Sequence, residues 1–594
     1  MSEKEIAWDL REIFAECDDP KISETMDDLM KKADEIIDLY KGKINLPSFT
    51  SQNLHDLLIK HEEILAGVEE IEIFSYNSFN ANSILPETKA ILNKYLEFQS
   101  SISKKLAFLE IEIGKYIYKN PEIVDEESLW NYKNYLGKIL RKFPYKLSET
   151  EEQLILDKDQ FGAKAWQQLR ASWITSKKIK AIVEGEEKII SFSELFSLWQ
   201  HPDRKTRISV FQSHCDSLKK NEEIYTSALR NICNDWVKTS NRRHYESPIH
   251  QSLIDNETTQ VIIDNMMRII EENLEVYQRF LRIKTKLFNL PKLGGVDAWA
   301  RLPSKKKYTW DESKEFIIQV FDTFDHTFGE YSSDIFKRNH IDASARDGKS
   351  GGAYCSPWYN GKSAFILTTF KGLLGDVVPL AHELGHGIHS YFSSQEQTFF
   401  NYIPTFTVAE TASTFGELLM TEHLLKDTKE TSDKISLLYN QLNWAGMIIF
   451  HLSARMWFEQ SLYDAIINGD FLDGETISKY WCAARDKIYG DKVKWLDEMK
   501  WEWAATGHYF RTDLRFYNYP YIYAQLFVYA LYQTFKKEGK AFIPKFKKLL
   551  SAGSSMSPEE LGKIVGLDII KPDFWRLGMR QYESFVDKLE KLTK

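Results

Sequence analysis

Cysteine is scarce in this 594-residue chain. The five cysteines, at 17, 215, 233, 355 and 482, are odd in number, widely spaced and form no Cys-x-x-Cys pair. That pattern excludes a disulfide framework and a cysteine-based zinc site. Glycine (28) and proline (16) are also few. Strand-rich folds need a turn every 8–12 residues or so, so this shortage of breakers predicts long helices. Positive charge is not in excess either: 77 Lys and Arg face 86 Asp and Glu, a net charge of −9. Binding of nucleic acid through a basic face is thereby excluded. The first nine residues are charged and polar and lack the apolar core of a signal peptide. One 20-residue stretch, 516–535, carries no formal charge, but it holds six Tyr, two Gln, Asn518 and Pro520. That polar load suits a protein interior or a cavity wall, not a bilayer. The expected partners therefore include neither nucleic acid nor membrane, and the expected location is the cytoplasm. The sequence sets no oligomeric state.

What the chain has in abundance is aromatic side chains, 14% of all residues. Hydrophobic residues at 43% and charged residues at 27% are ordinary for a globular protein and rule out disorder as the main state. The first half reads as helix after helix. Leu54, Leu57, Leu58, Ile64 and Leu65 show three- and four-residue apolar spacing, the stretch from Leu92 to Tyr118 continues it, and Pro121, Pro144 and Pro202 mark breaks. Residues 1–190 propose no chemistry of their own and are expected to form a helical scaffold or lid, with 191–594 as the catalytic part. Loops are expected at 288–295 and 347–353. The β-branched and aromatic run Ser363–Phe370 is the best strand in the chain, and its backbone could pair with an extended peptide.

Chemistry concentrates just beyond that strand. Asp376 is placed to cap a helix starting at Val377, with Pro379 tolerated in its first turn. The helix reads Leu380-Ala381-His382-Glu383-Leu384-Gly385-His386-Gly387-Ile388-His389. His382 and His386, four apart, share one face, and Glu383 lies beside them. Two imidazoles at this spacing can bind one Zn²⁺ from the same side, with the adjacent Glu in reach of a water. Zinc needs a third protein ligand and an open position. Position 392 is Phe, which excludes a third His ten residues after the first. His389 points in nearly the same direction as His382 but lies about two turns along, which suits an outer, supporting place. Glu410 and Glu417, seven apart in a helical run after Pro404, could either of them ligate; Glu417 and Glu422 could instead be a supporting carboxylate and a solvated charge.

The stretch His-Glu-Leu-Gly-His-Gly-Ile-His at 382–389, followed by Val-Ala-Glu-Thr-Ala-Ser-Thr-Phe-Gly-Glu at 408–417, resembles the thimet oligopeptidase family of zinc metallopeptidases, and its oligoendopeptidase F branch in particular. Lys349-Ser350-Gly351-Gly352-Ala353-Tyr354-Cys355 resembles that branch's glycine-rich loop before an edge strand. Trp501 to His508 precedes the counterpart of its aromatic tract, and Phe516-Tyr517-Asn518-Tyr519-Pro520-Tyr521 resembles the tract itself. The likeness runs from about 200 to 585. It implies a mostly α fold with a small sheet beside the zinc helix, and two helical lobes enclosing a deep channel that admits short, unfolded peptides. It implies one zinc per chain on His382, His386 and Glu410, and Glu383 as general base and acid. His508, Tyr517 and Tyr521 are implied as stabilisers of the tetrahedral intermediate, and Gly351, Gly352, Ala353, Tyr354 and Tyr519 as substrate contacts. The chain departs from the family pattern at Pro379, where Thr is usual, and at Gln525, where Tyr is expected. Two other readings are a metallocarboxypeptidase, which would need Arg511 or Arg515 to hold a C-terminal carboxylate, and an inactive helical peptide binder. The intact ligands and base disfavour the second.

Overall fold

A computed structural model describes residues 5–302 and 306–594. Helices dominate, and among the described residues the strands form three small sheets. In chain order these are β1 (Lys178–Val183), β2 (Glu186–Ser191), β3 (Leu293–Gly294), β4 (Ile341–Asp342), β5 (Tyr354–Trp358), β6 (Ser363–Leu367) and β7 (Val493–Lys494). The chain divides into two compact units. One comprises Met1–Pro144, Lys305–Asp427 and Thr534–Asp568; the other comprises Tyr145–Ser304, Thr428–Gln533 and Ile569–Lys594.

In the first unit the N-terminal helices pack on one another through Ile22, Leu29, Leu54, Leu57, Ile64, Ile71 and Tyr95, all nearly or fully buried. The longest of these helices, α1 (Ser51–Ala81), starts at a reciprocal cap. The Asn53 N–H donates to Thr50 Oγ1, and the Thr50 N–H donates to Asn53 Oδ1, which satisfies two amides with no helical partner. The unit's sheet has the order β4-β6-β5, with β6 parallel to β4 and antiparallel to β5. All five β6 residues are buried. The strand read from the sequence is therefore the central one, with both sides occupied, and it ends at Leu367. An extended peptide cannot pair with it.

Helix α2 (Leu374–Glu396) follows. It starts three residues earlier than expected. Asp376 is inside its first turn, and its carboxylate reaches back to the Leu373 and Lys371 N–H groups at 2.9 and 2.8 Å. The carboxylate thus caps the helix from within, close to the positive end of the dipole. Helix α3 (Thr411–Asp427) packs against α2. The close approach depends on glycine. A Cβ on Gly385 would lie 2.5 Å from the Ala412 carbonyl oxygen and from Ser413 Cα, and one on Gly416 would lie 3.1 Å from the Ala381 carbonyl.

In the second unit, β1 and β2 form a hairpin whose turn residues Glu184 and Gly185 both have positive φ, 55° and 90°. This hairpin interrupts the all-helical run expected to residue 190. Its first strand alternates exposed and buried residues, a two-residue period hidden beside a lysine-rich sequence. The same unit buries Asp297 against Arg207 at 2.8 Å and Arg204 at 3.0 Å. Among the described residues no helix is long and apolar enough to cross a membrane. The uncharged 516–535 stretch instead supplies most of the Tyr519–Glu538 helix, in which Tyr519, Tyr523 and Tyr529 are fully buried.

Candidate metal centre

Helix α2 presents His382 and His386 one turn apart, and α3 is preceded by a one-residue break at Glu410 (φ −81°, ψ 9°), between the short Phe406–Ala409 helix and Thr411. The break aims the Glu410 carboxylate at the two rings. His382 Nε2 and His386 Nε2 are 3.2 Å apart, and Glu410 Oε2 lies 3.3 and 3.4 Å from them. These three residues form a group able to hold a metal ion. A tetrahedral ion with bonds of about 2.0–2.2 Å has ligand–ligand edges of about 3.3–3.6 Å, so the triangle has the size zinc requires. The polarity fits as well. Glu417 Oε1 is 2.7 Å from His382 Nδ1 and holds the proton on that nitrogen. Nε2 then faces the Glu410 carboxylate oxygen, a position that a cation can take in place of a proton. Ser413 Oγ donates to Glu410 Oε2 at 2.7 Å and orients it.

Burial and charge act together here. Burial works against a charged His382 ring, yet the Glu417 hydrogen bond and the surrounding carboxylates carry its pKa up to about 9. Burial lowers His386 to about 4 and His389 to about 3, so both rings are neutral at pH 7. Glu410 is held below its ordinary value: burial opposes this, but the two histidines and Ser413 prevail. Glu383 is only 7% exposed, and burial first, then the nearby carboxylates, raises it to about 7.

His382, Glu383, His386 and Glu410 line a cavity of about 380 Å³ together with Ala353, Tyr354, Cys355, Pro357, His389, Ile403 and Pro404. Its strand wall is β5, the edge of the sheet. The Ile366 and Thr368 N–H groups donate to His340 and Asp342 across the sheet, so Ser363, Phe365 and Leu367 face β5. Their partners Trp358, Ser356 and Tyr354 turn their backbone groups inward. Cys355 and Pro357 therefore direct theirs to the outer edge, where no strand pairs among the described residues. Pro357, which has no N–H, sits at the kind of position an edge strand tolerates. Gly352, just before the strand, has φ +95° and nothing near its Cβ position, so the turn requires glycine. Gly351 also has open space around it.

The remaining expected site residues belong to the second unit. His508 is half-buried, and burial lowers its pKa. Its ring lies 5.2 Å from that of Tyr517, which in turn is 5.4 Å from Tyr521, both edge-on. Tyr517 and Tyr521 are the tyrosines of the 517–532 stretch that keep partial exposure. Tyr519 is fully buried, and its hydroxyl donates to the Ser252 carbonyl at 3.0 Å. It is a packing residue, and its expected place among substrate contacts is corrected accordingly. The expectation that the tyrosine-rich tract forms a channel wall is likewise confined to Tyr517 and Tyr521. Arg515 is 3% exposed and donates to the Tyr509 carbonyl, while Arg511 is paired with Asp513.

By its family this helical chain is a peptidase. More narrowly, the chain belongs to Peptidase family M3, whose model matches residues 197–581; a second model, Oligopeptidase F, matches residues 122–172. It is 22% identical over 564 residues to Oligopeptidase PepF of Bacillus subtilis, covering 93% of this chain and 82% of that one. It is 24% identical over 566 residues to an Oligoendopeptidase F homolog of Lactococcus lactis, covering 92% of each. The fold matches the crystal structure of oligoendopeptidase-F from Enterococcus faecium, with a TM-score of 0.68 at 19% identity, covering 96% of this chain and 98% of that one. A Chlamydophila abortus crystal structure is similar with a TM-score of 0.85 at 21% identity, covering 100% and 99%.

Proposed function

We propose that the chain is a zinc-dependent endopeptidase acting on short, unfolded oligopeptides. The observation that carries this reading is the His382–His386–Glu410 triangle with edges of 3.2–3.4 Å, placed in a cavity bounded by an open strand edge. His382 Nε2, His386 Nε2 and Glu410 Oε2 would hold one zinc ion. When bound, the ion supplies Lewis acidity towards water and a peptide carbonyl. Glu417 fixes the His382 tautomer. Glu383, with a pKa near 7, is suited to take a proton from water and return it to the leaving amine. His508, Tyr517 and Tyr521 are the proposed donors to the developing oxyanion. The peptide main chain would pair with Cys355 on the outer edge of β5, next to Ala353 and the Gly351–Gly352 turn, which favours extended substrates over particular side chains.

Functionally, 191–594 is the proposed catalytic part and 1–190 its helical support; the family matches at 122–172 and 197–581 are compatible with that partition. Five free thiols fit a reducing compartment, which supports the cytoplasm. The carboxypeptidase reading is disfavoured because Arg515 is buried and Arg511 is occupied by Asp513. The test combines metal analysis with product mapping on an end-blocked peptide of about ten residues. Cleavage of the amidated peptide with one zinc per chain is expected, as is loss of turnover with zinc retained in Glu383→Gln. Turnover by Glu383→Gln would refute the proton-transfer role, and failure on the amidated peptide would refute the endopeptidase assignment.

A further inference from the structure

Helix α1 carries Glu62, Glu69, Glu70, Asn77 and Asn80, which at about 100° per residue fall on one side of the helix. Each bonds to the segments around the cavity, 270–338 residues away in sequence. At one end Asn80 holds the loop before β5: its carbonyl accepts the Ser350 N–H at 2.8 Å, and its side-chain oxygen accepts Ser350 Oγ at 2.9 Å. The Tyr354 hydroxyl is clamped between two amides. It receives a hydrogen bond from Asn80 Nδ2 at 2.9 Å and donates to Asn77 Oδ1 at 3.0 Å. Ser356 Oγ donates to the same Asn77 oxygen at 3.3 Å. At the far end of the strand Glu70 accepts from Trp358 Nε1 at 3.1 Å, and Glu69 accepts from the Tyr359 N–H at 2.8 Å.

The same helix also holds the segment before Ile403. Glu62 accepts the Phe400 N–H at 2.8 Å, and Glu69 accepts the Tyr402 hydroxyl. Tyr402 immediately precedes Ile403 and Pro404, which face the cavity. One rigid helix thus fixes both β5 and the Phe400–Tyr402 segment. Asn77 is fully buried and Tyr402 nearly so, which leaves these links little freedom to rearrange.

We propose that α1 is the positioning helix of the peptide-binding edge, with Asn77 and Asn80 setting the place of β5 through Tyr354, and Glu69 tying the end of that strand to the Phe400–Tyr402 segment. Neither amide touches the reacting atoms; they act through the strand. The proposal rests on β5 being the strand that pairs with substrate. A peptide held along β5 makes the same main-chain bonds before and during the reaction, so a displaced strand weakens binding without changing the chemical step.

The experiment is steady-state kinetics on one blocked oligopeptide with the full-length zinc-loaded enzyme, comparing wild type, Asn80→Ala, Tyr354→Phe and the double variant, with melting temperature and zinc content measured alongside. Asn80→Ala is expected to raise KM about tenfold, the equivalent of one or two lost main-chain hydrogen bonds, with kcat within about twofold and zinc content unchanged. The double variant should fall short of the sum of the two single effects, because both sever the same link. An unchanged KM, a fall in kcat at fixed KM, or strictly additive losses would overturn the proposal. Tyr354→Phe keeps the ring and serves as the folded alternative should Asn80→Ala unfold. Absence of cleavage by the wild type refutes the endopeptidase reading instead, whereas wild-type cleavage with an unmoved KM in Asn80→Ala refutes the positioning role alone.

Discussion

Gly385 offers a sharp test of how the metal triangle is built. It lies between His382 and His386 in sequence but faces α3, and a Cβ there would come within 2.5 Å of Ala412 O and Ser413 Cα and 2.7 Å of the Ala412 carbonyl carbon. These are backbone atoms and cannot rotate away. Ordinary contact begins near 3.4 Å, so Gly385→Ala requires the two helices to part by roughly 1 Å. Two energies compete. Alanine in place of glycine favours the helix by about 1 kcal/mol, while overpacking against a fixed backbone costs about 1–3 kcal/mol. The second prevails because the overlap involves several atoms at once. Glu410 adjoins Thr411 and moves with α3, so its 3.3 and 3.4 Å edges to the histidines would open beyond the roughly 3.6 Å that zinc can bridge. The expected outcome is a lower melting temperature together with substoichiometric zinc. Gly416→Ala, which meets Ala381 O at 3.1 Å, should do the same more mildly. Zinc content and melting temperature are read on both variants by metal analysis and calorimetry. Full zinc occupancy with an unchanged melting temperature in Gly385→Ala would refute the claim that this contact sets the triangle.

Three further outcomes follow from groups around and beyond the site. Glu417→Ala removes the acceptor at His382 Nδ1 and should weaken zinc affinity about 10–100-fold, less than Glu410→Ala, as measured by competition with a chelator. Asp297→Ala leaves the buried Arg207 guanidinium without its carboxylate and should cost about 3–5 kcal/mol of stability in the second unit by denaturant titration. Glu69 is raised from 4.5 to about 8 by burial and then by Glu72 and Glu70, against the Tyr359 N–H and Lys362. A raised folded-state pKa means that the folded protein holds the extra proton, so this stabilisation is complete below about 4.5 and is lost as pH rises through 8. Glu69→Gln, which keeps an acceptor, should flatten the decline of stability across that window, and an unchanged pH profile would refute the assignment.

The sequence made the metal helix readable because its signal is local: two histidines four apart share a face in any α-helix. Glu410 was within reach of the same reasoning, but Glu410 and Glu417 stayed equivalent until the break before Thr411 sent one to Nε2 and the other to Nδ1 of His382. The mostly helical fold was legible in the shortage of Gly and Pro. Strand order was not. A run as apolar as Ser363–Leu367 announces burial, and burial on both sides is what makes it central; the open edge fell to Tyr354–Trp358, whose Ser and Pro carry little strand signal. Asn77, Asn80 and Glu69 could not be read at all, since each takes its meaning from partners some 270–330 residues away. Tyr519 illustrates the opposite failure: a polar aromatic in a functional tract whose hydroxyl is consumed by Ser252 in the interior.

Pro357 has a consequence beyond the site. An unpaired strand edge beside a cavity is a template on which any extended chain, including another copy of this sheet, could propagate. Here the edge offers an amide at Cys355 and then, two residues on, a ring where the next donor would stand. A visiting backbone can register at one place but cannot zip along the sheet. That proline thus denies the molecule a route to edge-to-edge aggregation through this sheet.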